Sequence, residues 1–187
     1  NLPADDAFYA FFDLVFLPLS EYRGGDFPRV RGVALPGVIP AGEREKVLAD
    51  QSDAVDHGAR HALCGNYGHL ALCREAGLVP HGDFRLNITN GAAAEFALAA
   101  GFADLILSPE LSAAQLRNIG GRVRAVVYGR VPLMLLEKCA AAETSGCTKC
   151  ADDRAALTDR MGKRFPILRE EPHRNILVNC VPTYAAE

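Results

Sequence analysis

Short apolar runs recur along the first two thirds of the chain at Asp13 to Leu19, Val30 to Ile39, Ala59 to Gly65, Asp83 to Ile88, Ala103 to Leu107 and Arg124 to Tyr128. Between them lie stretches with helical spacing or Ala-rich composition: Ala41 to His57, Tyr67 to Ala76, Gly91 to Ala100 and Ser112 to Asn118. Strand-length runs alternating with helical stretches predict a parallel sheet with helices outside it. Asn90 and Ser112 stand where a side-chain oxygen would cap the first turn of the helix that follows. No Gly-x-Gly-x-x-Gly follows any run, which removes the usual dinucleotide signature.

Nearly every run ends in a polar or turn-forming residue: Ser20, Pro36-Gly37, Asn66, then Asn87, Thr89 and Asn90, then Ser108 and Glu110, then Tyr128 and Arg130. Each is also a common cap or turn residue, but in a β/α barrel such positions converge on the C-terminal mouth. A full barrel takes about 250 residues, and only six runs are visible here. The expectation is therefore an α/β fold: residues 1–134 form a fragment of a TIM-like β/α barrel, with further strands upstream in a longer parent protein. Residues 135–187 form a C-terminal cysteine-containing element packed on it. The opening Asn1-Leu-Pro-Ala-Asp, without an initiator methionine, fits a piece of a longer chain. Asn66, Asn87, Asn90, Glu110 and Arg130 are the candidate catalytic residues of the mouth. Arg130 would hold a carboxylate or phosphate in its guanidinium fork, and Glu110 would accept a proton or pair with Arg130.

Composition narrows the partners. A formal charge of −3 gives no global basic field, so contact with RNA would fall to the local cluster Arg160, Lys163, Arg164, Arg169 and Arg174, which reads equally as a solvated mixed-charge segment. The apolar segments are too short or interrupted to span a bilayer, so no membrane is expected. Six cysteines in 187 residues fall short of a disulfide scaffold, and with no signal-peptide pattern the reading is a reducing, cytoplasmic compartment.

Three of those cysteines carry the chemistry. Cys139-x7-Cys147-x2-Cys150 places two thiols at metal-ligand spacing and a third within reach through a turn at Gly146, which points to an iron–sulfur cluster or zinc. Ordinary thiols in a helix-and-turn segment are the plain alternative. Cys64 and Cys73 lie within apolar patterns and read as small buried residues. His57 and His61 are four apart, yet Gly58 weakens a helix between them, so they read as solvent-facing or turn histidines. No His-Glu-x-x-His is present, and neither Ser20 nor Ser108 sits in a nucleophile-elbow sequence.

The run Tyr128-Gly-Arg-Val-Pro-Leu-Met134, the cysteines after it, Leu157-Thr-Asp-Arg-Met-Gly-Lys-Arg-Phe-Pro-Ile167 and Ile176-Leu-Val-Asn-Cys-Val-Pro182 together resemble the collagenase-like peptidases of unassigned catalytic type, family thirty-two of that class. Asn87 to Asn90 and Leu107 to Leu111 resemble that family's strand ends, and the likeness covers roughly residues 30 to 184. It implies a barrel-like protein and, by the family's name, a peptidase acting on a peptide substrate. Several members are similar in holding a [4Fe–4S] centre on four cysteines and taking part in oxygen-independent hydroxylation of RNA bases or of a small aromatic quinone precursor. This chain departs in having no cysteine shortly after Gly129. Near the family's fourth cysteine it carries His173, with Glu170 or Glu171 as a partner for the second ring nitrogen; Cys180 is the other candidate. The expected ligand set is Cys139, Cys147, Cys150 and His173 or Cys180. Three functions follow: an iron–sulfur enzyme or component, a peptidase, or a zinc-stabilised binding module.

Overall fold

The computed structural model describes residues 6–22, 29–140, 142, 155–171 and 174–184, and the chain divides into two units, Asn1–Ala125 and Val126–Glu187. In the first unit, helices α1 (Asp6–Tyr9), α2 (Leu19–Tyr22), α3 (Arg44–Asp56), α4 (His69–Ala76), α5 (Gly91–Ala100) and α6 (Ala113–Arg117) alternate with strands. The strands are β1 (Phe16–Pro18), β2 (Gly32–Ala34), β3 (His61–Cys64), β4 (Val79–Gly82), β5 (Leu105–Ile106) and β6 (Val123–Arg124). All six pair in parallel and in chain order, β1-β2-β3-β4-β5-β6. Each new strand is therefore added at the same edge, and connections of the usual right hand then keep the helices on one face.

The register shows which face that is. Leu17 pairs with Val33 and Val33 with Ala62, and Gly82 pairs with Leu105. Leu17, Val33, Ala62 and Leu105, with Cys64, share one buried cluster with Val47 and Ala54 of α3, Leu72 and Cys73 of α4, and Ala94 and Ala97 of α5. Side chains alternate along a strand, so Phe16, Gly32, His61, Leu63, His81, Asp104 and Arg124 belong to the opposite face, which is helix-free among the described residues.

Local chemistry explains most boundaries. The side chain of Asn90 accepts from the Ala93 N–H at 2.9 Å and starts α5. Ser112 and Gln115 form a reciprocal capping box at α6, and Gly77, in the left-handed region, closes α4. One strand lies earlier than expected. The run Asp83 to Ile88 is not a strand but holds a short 3-10 turn, Phe84–Leu86, and the strand is Val79–Gly82. Pro80 argues against a strand there because it lacks an N–H for a ladder. It is tolerated here because β5 meets β4 only at Gly82, so the missing donor faces no strand.

In the second unit, β8 (Pro132–Leu136), β9 (Ala156–Thr158), β10 (Arg164–Glu171) and β11 (Arg174–Val178) form an antiparallel sheet in the order β8-β11-β10-β9. A separate ribbon pairs β7 (Tyr128–Gly129) with β12 (Thr183–Tyr184). The division falls at Ala125, earlier than residue 134, because the Pro-Leu-Met run is strand β8 of this second sheet rather than the end of the first.

Candidate functional site

The expected mouth residues are placed as follows. The Asn66 carboxamide oxygen accepts from Gly68 N–H at 2.7 Å, fixing the turn into α4. Asn87 ends the 3-10 turn in the left-handed region, with φ of 52°, a conformation asparagine tolerates better than other side chains. Asn90 is spent on the α5 cap. Each of these three thus has a local backbone role. The Glu110 N–H lies against the hydroxyl of buried Ser108. Arg130 belongs to the second unit, where its guanidinium donates to the carbonyls of Asn179 and Cys180.

A different polar group is assembled on the helix-free face. Arg124 Nη2 meets Asp104 Oδ2 at 2.9 Å, Asp104 Oδ1 meets His81 Nδ1 at 3.0 Å, and His81 Nε2 meets His61 Nδ1 at 3.0 Å. The four side chains come from β6, the residue just before β5, β4 and β3, in that order. His81 is buried, and Phe16 presses an edge against its ring at 5.7 Å between centroids. That contact depends on Gly32, since a Cβ there would stand 2.4 Å from Phe16 Cδ1.

Charge follows from this geometry. Burial alone would raise the Asp104 carboxyl, but the hydrogen bond and charge of His81, helped by Arg124, bring it below the ordinary carboxylate value. An ionised Asp104 fixes the proton of His81 on Nδ1. His61 is held below the ordinary histidine value, chiefly by burial, then by His81 and Arg31, with Asp104 opposing. In the neutral pair His61 Nδ1–H donates to His81 Nε2, which leaves His61 Nε2 with a free lone pair.

His61 and His81 were not legible as partners. His57 lies at the end of α3 with Nδ1 on the Asp53 carbonyl at 2.8 Å, so the four-residue spacing to His61 marks no shared helical face. The available signal was the register: Leu63 pairs with His81, which puts His61 and His81 on one face.

Among the cysteines, Cys64 and Cys73 are fully buried with their sulfurs 3.5 Å apart, and the hydrogen bond to Cys73 together with burial holds the Cys64 thiol up in its protonated form. Cys139 is buried at the far end of β8. Cys147, Cys150 and His173 lie outside the described residues, and among the described residues no group of three or more His, Cys, Asp or Glu side chains is arranged to hold a metal ion. The described part of the second sheet places the backbone beside Cys139 and the backbone of Cys180 at opposite ends. Leu136 pairs with Asn175, and the buried Asn175 side chain accepts from Ala140 N–H at 3.1 Å, so the backbone beside Cys139 adjoins the start of β11. Asn179 N–H donates to the Val131 carbonyl, and Arg130 holds the Cys180 carbonyl, at the other end of both strands. Three residue steps of strand, roughly 10 Å at the rise of an extended chain, separate Asn175 from Val178, the last residue of β11. In the basic cluster, Arg160, Lys163, Arg164 and Arg169 are exposed, while Arg174 pairs with Glu137 at 3.1 Å.

Comparisons with protein-family models, with curated proteins and with solved structures found no match. Among the described residues no helix is long and apolar enough to cross a membrane.

Proposed function

We propose that this chain is part of an iron–sulfur enzyme, or enzyme component, built on a β/α barrel and akin to the collagenase-like peptidase family. Its reaction would be the oxygen-independent hydroxylation of RNA bases or of a small aromatic substrate. The barrel reading is supported by six parallel strands in unbroken chain order with helices on one face; a doubly wound sheet reverses its order part-way.

The observation that carries the cluster reading is the juxtaposition of the Cys139 backbone with the start of β11. Cys139-x7-Cys147-x2-Cys150 supplies three soft ligands, and His173 immediately precedes Arg174, at the β11 end that adjoins Cys139. Cys180 follows the opposite end. The proposed ligands are therefore Cys139, Cys147, Cys150 and His173. When bound, the cluster supplies one-electron chemistry, and a neutral imidazole replacing one thiolate raises its reduction potential. On the protein side, Asn175 pins the turn after Cys139 by its bond to Ala140 N–H, and the Arg174–Glu137 pair closes the two strands beside it. The exposed cations of β10 and its approach offer contacts for RNA phosphates.

Anaerobic expression with visible spectroscopy and iron, sulfide and zinc analysis tests this, beside Cys147→Ala and Cys150→Ala. Iron and sulfide in near-equal amounts, lost in both variants, is the expected result. Zinc alone would select the zinc-stabilised binding module, and no metal with cleavage of gelatin in the absence of reductant would select the peptidase.

A further inference from the structure

We infer that Arg124, Asp104, His81 and His61 form a proton relay on the helix-free face of the first unit's sheet. Its outer end is His61 Nε2, and the ligand it takes is a weakly acidic O–H or N–H donor, water included. The inference is independent of the cysteines and of the proposed cluster.

The geometry gives the relay a direction. Contacts of 2.9, 3.0 and 3.0 Å run from Arg124 to Asp104, from Asp104 to His81 and from His81 to His61. Both nitrogens of His81 are engaged and Nδ1 of His61 is engaged, so among the described residues Nε2 of the half-buried His61 is the ring nitrogen left open to a new donor. A proton accepted there would leave an imidazolium repelled by Arg31 and attracted by Asp104 only across His81, with no carboxylate in direct contact among the described residues. Passing the Nδ1 proton of His61 to Nε2 of His81 moves that charge next to the Asp104 carboxylate. The proton count balances: His61 gains a proton on Nε2 and loses one from Nδ1, and His81 becomes the cation. Opposite charge at hydrogen-bond distance favours the ionised form of both partners, so the relay carries positive charge away from Arg31 and toward Asp104. Phe16, packed on His81 through the space left by Gly32, keeps water from the inner pair.

Nitrogen-15 NMR of the histidine rings of the whole chain, titrated with acid, reads the proton positions. The expected signature is a tautomer switch: His61 changes from Nδ1–H to Nε2–H while His81 becomes protonated on both nitrogens, in a single step. In Asp104→Asn the switch is lost, because no carboxylate remains to hold the charge on His81. Arg124→Gln, which leaves the carboxylate in place, keeps the switch. Protonation of His61 as the cation, or independent titration of the two rings, in the unsubstituted chain would overturn the inference without any variant having to fold.

Discussion

The two units use their apolar residues in opposite ways. In the first, Val33, Leu35, Leu105 and Phe102 are almost wholly buried between a parallel sheet and its helices. In the second, Leu133, Met134, Leu157, Met161, Val181 and Tyr184 remain substantially exposed on or beside short antiparallel strands. A parallel sheet needs covering to be stable, whereas antiparallel strands tolerate an open face. The first unit therefore owes its order to burial. For the second, a bound centre would add binding free energy that exists only in the folded state.

Core truncation should show the sharpest contrast. Phe102→Ala in the first unit is expected to cost about 4 kcal/mol, while Leu157→Ala, 48% exposed, should change stability by less than about 0.5 kcal/mol; urea unfolding compares them. Comparable losses would erase the distinction.

Acid acts next. His69 at the start of α4 is buried with Nδ1 unpartnered, and burial, helped by Arg85, lowers its pKa to about 4. A base depressed on folding stabilises the native state fully above its unfolded value near 6.5 and loses that stabilisation as pH falls toward 4. The loss should total about 3 kcal/mol, with His61 adding the same sign. Unfolding curves at pH 7.5, 5.5 and 4.5 should slope accordingly, and His69→Leu should flatten most of that slope.

A smaller effect sharpens the role of Gly32. Alanine there meets the Phe16 ring at 2.4 Å and should cost about 2 kcal/mol as the ring moves aside. The His81 ring resonances should shift with it. Smallest is Asn90→Ala, which removes the α5 cap for about 1 kcal/mol, measured by thermal unfolding; Asn90→Asp should restore it.

The first unit was largely legible because period-two and helical patterns, with capping residues at Asn90 and Ser112, report local structure that tertiary packing did not override. The strand at Val79–Gly82 escaped because Pro80 and Gly82 carry turn chemistry, and its tolerance depends on where a neighbouring strand begins. The same misplacement concealed His81, and with it the relay, since residues twenty apart in sequence become neighbours only through parallel register. Asn66 and Asn90 were visible as polar strand ends, but a cap and a mouth residue look alike until the hydrogen bond is drawn. The second sheet escaped because β8 and β11 are joined across a long separation, and its cysteines 147 and 150 and His173 lie outside the described residues.

The central claim is that one end of the second sheet, beside Cys139, gathers the ligands of an iron–sulfur centre. Iron retention after anaerobic reconstitution of His173→Ala and Cys180→Ser measures it most directly. The account predicts that Cys180→Ser keeps iron and sulfide at the level of the unsubstituted chain while His173→Ala loses most of both. Loss in Cys180→Ser with retention in His173→Ala would contradict it.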